Sequence, residues 1–136
     1  MPVLFFFVAV WYLSLFSQTF FQHRYAAHGA FQMSKGWERF FFITAYLTQG
    51  SSYMSPRAYA IMHRMHHAYT DTAKDPHSPS FSSNIFSMMW RSRNFYQDII
   101  KGRMKVEPRF LNWAGIIKMN KLVVVDSEME EIKKIH

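Results

Sequence analysis

The 136 residues suffice for one modest domain and are too few for two. Cysteine is absent, which excludes disulfides, thiolate-bound zinc and iron–sulfur clusters and leaves His, Asp and Glu to hold any metal. The net charge of +7 is placed one-sidedly: no charged side chain precedes Arg24, and every Lys and Arg lies between Arg24 and Lys134. No nucleic-acid recognition motif accompanies that excess, so a nucleic-acid partner is not expected. A charge-free aromatic N-terminus points instead to a membrane, with the basic residues on its cytoplasmic side.

Val3 to Phe21 runs for nineteen residues without a charge. At ~1.5 Å per residue a helix of that length covers roughly 28 Å, close to the hydrocarbon thickness of a bilayer. A signal peptide would need a basic start and a small-residue cleavage site, and neither is present. The expected architecture is therefore an all-α integral membrane protein, with residues 3–22 as a spanning helix and residues 23–136 as a cytoplasmic amphipathic helical cap. Ser14, Ser17, Gln18 and Thr19 make the second half of the apolar segment more polar and suggest a face turned toward protein or toward an active site.

Trp37 to Leu47 is apolar but too short to span, and reads as a helix on the membrane surface or packed inside the cap. Gly50, Ser51 and Ser52 break it, and Pro56 suits the first turn of a new helix running through Tyr59, Met62 and His67. Thr70 to Asn84 is rich in turn residues. A second amphipathic helix is predicted to start near Asn84. Ile85, Phe86, Met89, Trp90, Tyr96, Ile99 and Ile100 approximate helical spacing there, flanked by Arg91, Arg93, Lys101 and Arg103. Such a basic helix suits a membrane surface. Farther on, Ser127 and Glu130 offer a capping box for a short polar helix.

Five of the seven histidines fall in two tight groups, His23-Arg24-Tyr25-Ala26-Ala27-His28 and His63-Arg64-Met65-His66-His67. Spacings of three and four project His63, His66 and His67 from one side of an α-helix, where neutral imidazoles can grip one divalent metal or straddle two. A lone histidine is more often solvated or a core residue; three within five residues on a Tyr- and Met-lined helix reverse those odds. The first pair is five apart, about 140° around a regular helix, so its rings would not share a face. Gly29 follows and allows the helix to end or distort. His23 and His28 then reach different metals, or both reach one after a local break.

These residues resemble the membrane fatty acid desaturases. H-R-Y-A-A-H matches the first histidine box of that family, HRxxxH, and H-R-M-H-H matches the second, HRxHH. The stretch from Ala68 through Asp75-Pro76-His77 is similar to the one that follows the second box in the acyl-CoA type. The likeness runs from about Phe16 to about Arg93. It implies a four-helix membrane protein whose cytoplasmic cap holds two irons, with O2 as co-substrate and electrons from a cytochrome b5 or ferredoxin type donor. The substrate it implies is a fatty acyl chain, as a CoA thioester or lipid-linked. By the same resemblance His23, His28, His63, His66 and His67 are iron ligands. No ligand role is carried onto His77, which by its position is expected to anchor its loop beside Asp75. Arg64 is expected to pair with Asp71 or Asp75, or to stand in solvent.

The family pattern is incomplete. No HxxHH box follows His67, His136 stands isolated, Leu122 to Val125 is far too short for a second crossing, and the family's opening helix is missing. The sequence therefore reads as a fragment of a longer gene product, inactive by itself. Ile61-Met62 stands where animal acyl-CoA desaturases carry Arg-Asp, which counts against a CoA carrier. Two rivals share the features: a histidine-box hydroxylase, ketolase or alkane monooxygenase, and a non-catalytic metal-binding membrane peptide. The Thr70 to Pro79 loop favours the desaturase, and the absence of carboxylates from Val3 to Phe21 counts against an ion-transport path.

Overall fold

The computed structural model describes residues 1–111. The box at Ser127 and Glu130, the short apolar run Leu122 to Val125 and His136 lie outside the described residues. Within them the chain is helical, with α1 (Pro2–Phe16), a π-helical continuation (Ser17–Ala27), α2 (Lys35–Gln49), α3 (Pro56–Tyr69), α4 (Ile85–Ile100) and a short α5 (Pro108–Leu111). Single 3₁₀ turns occupy Gly50–Ser52 and Pro79–Phe81. Among the described residues there is no strand, as an all-α reading requires.

The first helix does not stop at the last apolar residue. It runs unbroken from Pro2 to Ala27, and by length and hydropathy it is able to cross a membrane. No residue of α1 is buried; Phe5 stays 73% and Trp11 59% exposed. The last turn of α1 touches α2 through Phe16 and Phe41, but most of the helix presents apolar side chains with no cover, the kind of surface that meets lipid or other helices. The π-helical half differs. Ser17, Phe21, Gln22, Tyr25, Ala26 and Ala27 are buried there, so part of the polar half faces protein while Thr19 remains exposed.

The remaining helices begin and end where local chemistry dictates. α2 stops at Gly50, whose φ of 51° suits a residue without a side chain. Pro56 occupies the first turn of α3, where its missing N–H costs nothing. Asn84 caps α4, its Oδ1 accepting from Ser87 N at 2.9 Å. The C-terminal end of α4 passes into Gly102, at φ 63°.

Two clusters bury apolar surface. In the first, Phe21, Tyr25, Ala26 and Ala27 of the π-helical segment meet Ala45 of α2 and Ala60 of α3, with Phe41, Phe42 and Tyr59 around them. The four alanines let the backbones approach closely, and the π-helical segment packs most extensively on α3. In the second, Ile61 and Met65 on the opposite side of α3 hold Phe110, with Phe95 and Ile99 of α4 alongside. α3 is thus wedged between the membrane-type helix and α4.

A buried polar knot locks the first junction. Gln22, fully enclosed, exchanges amide hydrogen bonds with Gln49 (3.2 and 3.1 Å), and its Nε2 also donates to the Met54 carbonyl at 2.8 Å. Gln22→Leu leaves two half-buried partners, Gln49 and the Met54 carbonyl, unpaired and is expected to cost about 1–3 kcal/mol, read as a lowered midpoint of thermal unfolding in detergent. Adding Gln49→Leu is expected to recover part of that loss, because it removes one of the orphaned partners. A double variant no better than the single one would remove the knot from the account of stability.

Candidate metal centre

The two histidine groups come together at the contact of the π-helical segment with α3. In a π-helix the N–H of residue i+5 bonds to the carbonyl of residue i. His28 N donates in that way to His23 O at 3.1 Å. The wider turn brings the two imidazoles, placed apart by α-helical geometry, onto one face: their Nε2 atoms lie 3.1 Å apart. Gly29, at φ 61°, then ends the segment. The expected local distortion is therefore present, and it begins well before the glycine, at Ser17.

On α3, His63 and His67 are one α-helical turn apart and face the same point. His63 Nε2 lies 3.0 Å from His28 Nε2 and 3.0 Å from His67 Nε2. One ligating nitrogen from each of His23, His28, His63 and His67 falls within 4.8 Å of the other three. Tyr59 stacks on the His63 ring, with centroids 5.6 Å apart and planes at 8°.

Hydrogen bonding alone satisfies this group poorly. A neutral imidazole nitrogen either carries one proton or offers one lone pair, not both. The Nε2 atoms of His28 and His63 each touch two further Nε2 atoms, so at least one contact lacks a well-placed proton. A cation among four lone pairs resolves the conflict. Zinc–imidazole bonds of about 2.0–2.1 Å set tetrahedral nitrogens roughly 3.4 Å apart, within the span these four atoms cover. The donor set fits a divalent ion that accepts imidazole, such as iron, zinc or copper.

His66, expected on the same side of α3 as His63 and His67, lies outside the four-nitrogen group. It follows His63 by three residues and precedes His67 by one, which turns it away from the point those two share. Its Nδ1 meets Asp75 Oδ1 at 2.9 Å, and the Asp75 side chain is fully buried. Burial by itself would raise the Asp75 carboxyl, but hydrogen bonds from His66 and from the backbone N–H groups of His77 and Asp71 outweigh it and hold the pKa below its usual value. His77 bonds through its ring to Ser92 Oγ at 2.8 Å, and Ser92 donates to the Pro76 carbonyl at 2.9 Å. That matches the anchoring role expected for His77.

The expected pairing of Arg64 with Asp71 or Asp75 does not form. Asp75 is occupied by His66, and Arg64 folds back along its own helix, where Nε donates to the Ala60 carbonyl at 3.1 Å. Among the described residues its buried Nη2 has no hydrogen-bond partner. Asp75 as the companion of His66 escaped the sequence reading; the signal available was an Asp-Pro turn close after a helix whose last turn carries histidines.

Burial, followed by the positive charges of the neighbouring imidazoles, pushes His63 down from 6.5 to about 4. His63 is therefore neutral and able to ligate at neutral pH. The sign of the linkage follows: between pH 6.5 and about 4 the unfolded chain binds a proton that the folded chain refuses. The stabilisation is complete above 6.5 and is lost as pH falls toward 4. The metal-free chain in detergent should unfold at progressively lower temperature through that window, and His63→Phe should flatten the slope. An unchanged slope in the variant would assign the acid sensitivity elsewhere.

Comparison with known proteins places the chain in a family. The family model described as fatty acid desaturase matches residues 1–128. The chain belongs to the fatty acid desaturase family. It is 36% identical over 78 residues to the delta-9 desaturase-like 5 protein of Arabidopsis thaliana, a match covering 57% of this chain and 25% of that protein. It is 39% identical over 66 residues to the acyl-CoA C20 delta5-desaturase of Anemone leveillei, covering 48% and 20%. With the delta-9 acyl-lipid desaturase 1 of Arabidopsis thaliana the identity is 36% over 69 residues, covering 50% and 21%. The matches thus span a quarter or less of these relatives' length. No solved structure matches.

Proposed function

We propose that this chain is the part of a membrane fatty acid desaturase that carries the first two histidine boxes, with His23, His28, His63, His66 and His67 as iron ligands. The observation that carries the reading is the convergence of four Nε2 atoms from both boxes within 4.8 Å. His23, His28, His63 and His67 would hold one ion, and His66 would offer its Nε2 to a second whose other ligands lie beyond these five residues. When bound, the iron pair supplies the activation of O2 that removes two hydrogens from an unactivated acyl chain, with electrons delivered by a cytochrome b5 or ferredoxin type protein.

The chain's own part is to hold and orient. The small-residue contact of the π-helical segment with α3 fixes the four rings against one another, and the Tyr59 ring limits the tilt of His63. Burial keeps His63 unprotonated, so its lone pair is available. The Pro2–Ala27 helix would insert in the bilayer with the cap on its cytoplasmic side, close to acyl chains. As a carrier of the acyl group both CoA and a lipid head group stay open. The named relatives include an acyl-CoA and an acyl-lipid enzyme, and Ile61 here is an enclosed core residue rather than a charged surface one.

The direct test loads the detergent-purified chain with Fe2+ under anaerobic conditions and counts bound metal. One tightly held ion per chain is expected, and His63→Ala should weaken it by more than about 100-fold, beyond the 10- to 100-fold loss typical of outer partners. Equal binding by wild type and variant would sink the ligand assignment. For the reaction, a deuterated acyl substrate should give an alkene only when a segment bearing an HxxHH box is joined to this chain. An alcohol product would favour the hydroxylase rival. Alkaline extraction of membranes should leave the chain in the pellet; its release would count against a spanning helix.

A further inference from the structure

Among the described residues Asp75 is the one acidic side chain that is fully buried, and the chain invests an entire loop in holding it. Its Oδ1 accepts from His77 N at 2.8 Å, and its Oδ2 from Asp71 N at 3.0 Å. Asp71 is turned to φ 57°, an uncommon conformation for a residue with a side chain, and its own carboxylate accepts from Ser78 Oγ at 3.1 Å. The loop is tied to α4 as well, through Ser92 to the Pro76 carbonyl and through Arg91 Nη2 to the Ala73 carbonyl at 2.5 Å. A buried carboxylate is costly unless fully hydrogen-bonded, and here the backbone supplies donors to both oxygens.

That arrangement dictates the protonation of its third partner. Both carboxylate oxygens already act as acceptors toward backbone N–H groups, so the hydrogen in the contact with His66 sits on Nδ1. The lone pair of His66 is then on Nε2, at the ring edge away from Asp75, and the side chain keeps 33% of its surface exposed. An imidazole whose far nitrogen donates to a carboxylate is the usual outer arrangement of a metal-binding histidine, which fixes the ring and raises its basicity. The four-nitrogen group itself contains no anion, and of the five box histidines His66 is the one whose ring meets Asp75.

We infer that Asp75 is a positioning residue that locks His66 in the Nδ1-protonated tautomer and presents its Nε2 as the donor to a second metal ion, apart from the four-nitrogen group. This rests on the proposed ligand role of His66, and the experiment separates the two. Nitrogen-15 NMR of the full, metal-free chain in detergent is expected to show the unprotonated, downfield resonance at Nε2 of His66. In Asp75→Asn that resonance should move upfield as the Nε2-protonated tautomer takes over, with helix content unchanged by circular dichroism. Zn2+ added beyond one equivalent should shift the Nε2 resonance of His66 in the wild type, with affinity about 10- to 100-fold weaker in the variant. A wild-type His66 protonated at Nε2 overturns the inference whether or not the variant folds, as does a variant that keeps the original tautomer. The expected tautomer with His66 indifferent to Zn2+ supports the hold of Asp75 on the ring and removes His66 from the ligand set.

Discussion

The bond from His28 N to His23 O sets the geometry on which everything else in the site depends. It closes a turn one residue wider than an α-helical turn, and it is one member of an eleven-residue π-helical run. Runs of that kind are rare, because their hydrogen-bond and packing geometry is poorer than that of an α-helix, and they gather at functional positions. The compensation here is tertiary. The same run carries Phe21, Tyr25, Ala26 and Ala27 into the first core cluster and Gln22 into the amide knot. Packing against α3 therefore stabilises the unusual helix, and the unusual helix in turn brings His23 and His28 within reach of His63.

α3 works on both its sides. Ala60 meets the π-helical segment and Ile61 meets Phe110, so neighbouring residues bind opposite partners. The histidines continue that division one turn later. His63 and His67 lean toward the membrane-type helix, whereas His66 leans toward the loop that α4 holds in place. Five imidazoles that look like one ligand set in the sequence are thus sorted into two groups by the rotation of a single helix.

Much of this was legible in the residues. The break at Gly50, the helix start at Pro56 and the start of α4 near Asn84 follow from short-range rules and stand where those rules put them, whereas of the three histidines expected on one side of α3, His63 and His67 share a point and His66 does not. The approach of His23 to His28 stays open in the sequence between a shared point and two separate ones, because a five-residue spacing is measured against an α-helix with a local break, and no local residue type announces that the break is a π-helix. The partner of Asp75 was missed for a different reason. A charge rule pairs Asp with Arg, but Arg64 bends back on its own helix while His66 points at the loop, a choice made by side-chain direction and not by charge. The family resemblance supplied the histidines' identity as a set; the division among them needed coordinates.

The π-helical run has a consequence that is simplest to state in genetic terms. His23-Arg24 to His28 and His63-Arg64 to His67 are the same His-Arg-to-His device written with and without one extra codon. The α-helix accommodates the shorter version and the π-helix the longer, and both deliver two imidazoles to one face. The extra codon need not shift the frame of the imidazole group, because the helix absorbs it as girth and not as rotation. Two histidine pairs of unequal length in sequence can therefore be equal in space, so counting residues between histidines is a poor ruler for deciding which of them face one point.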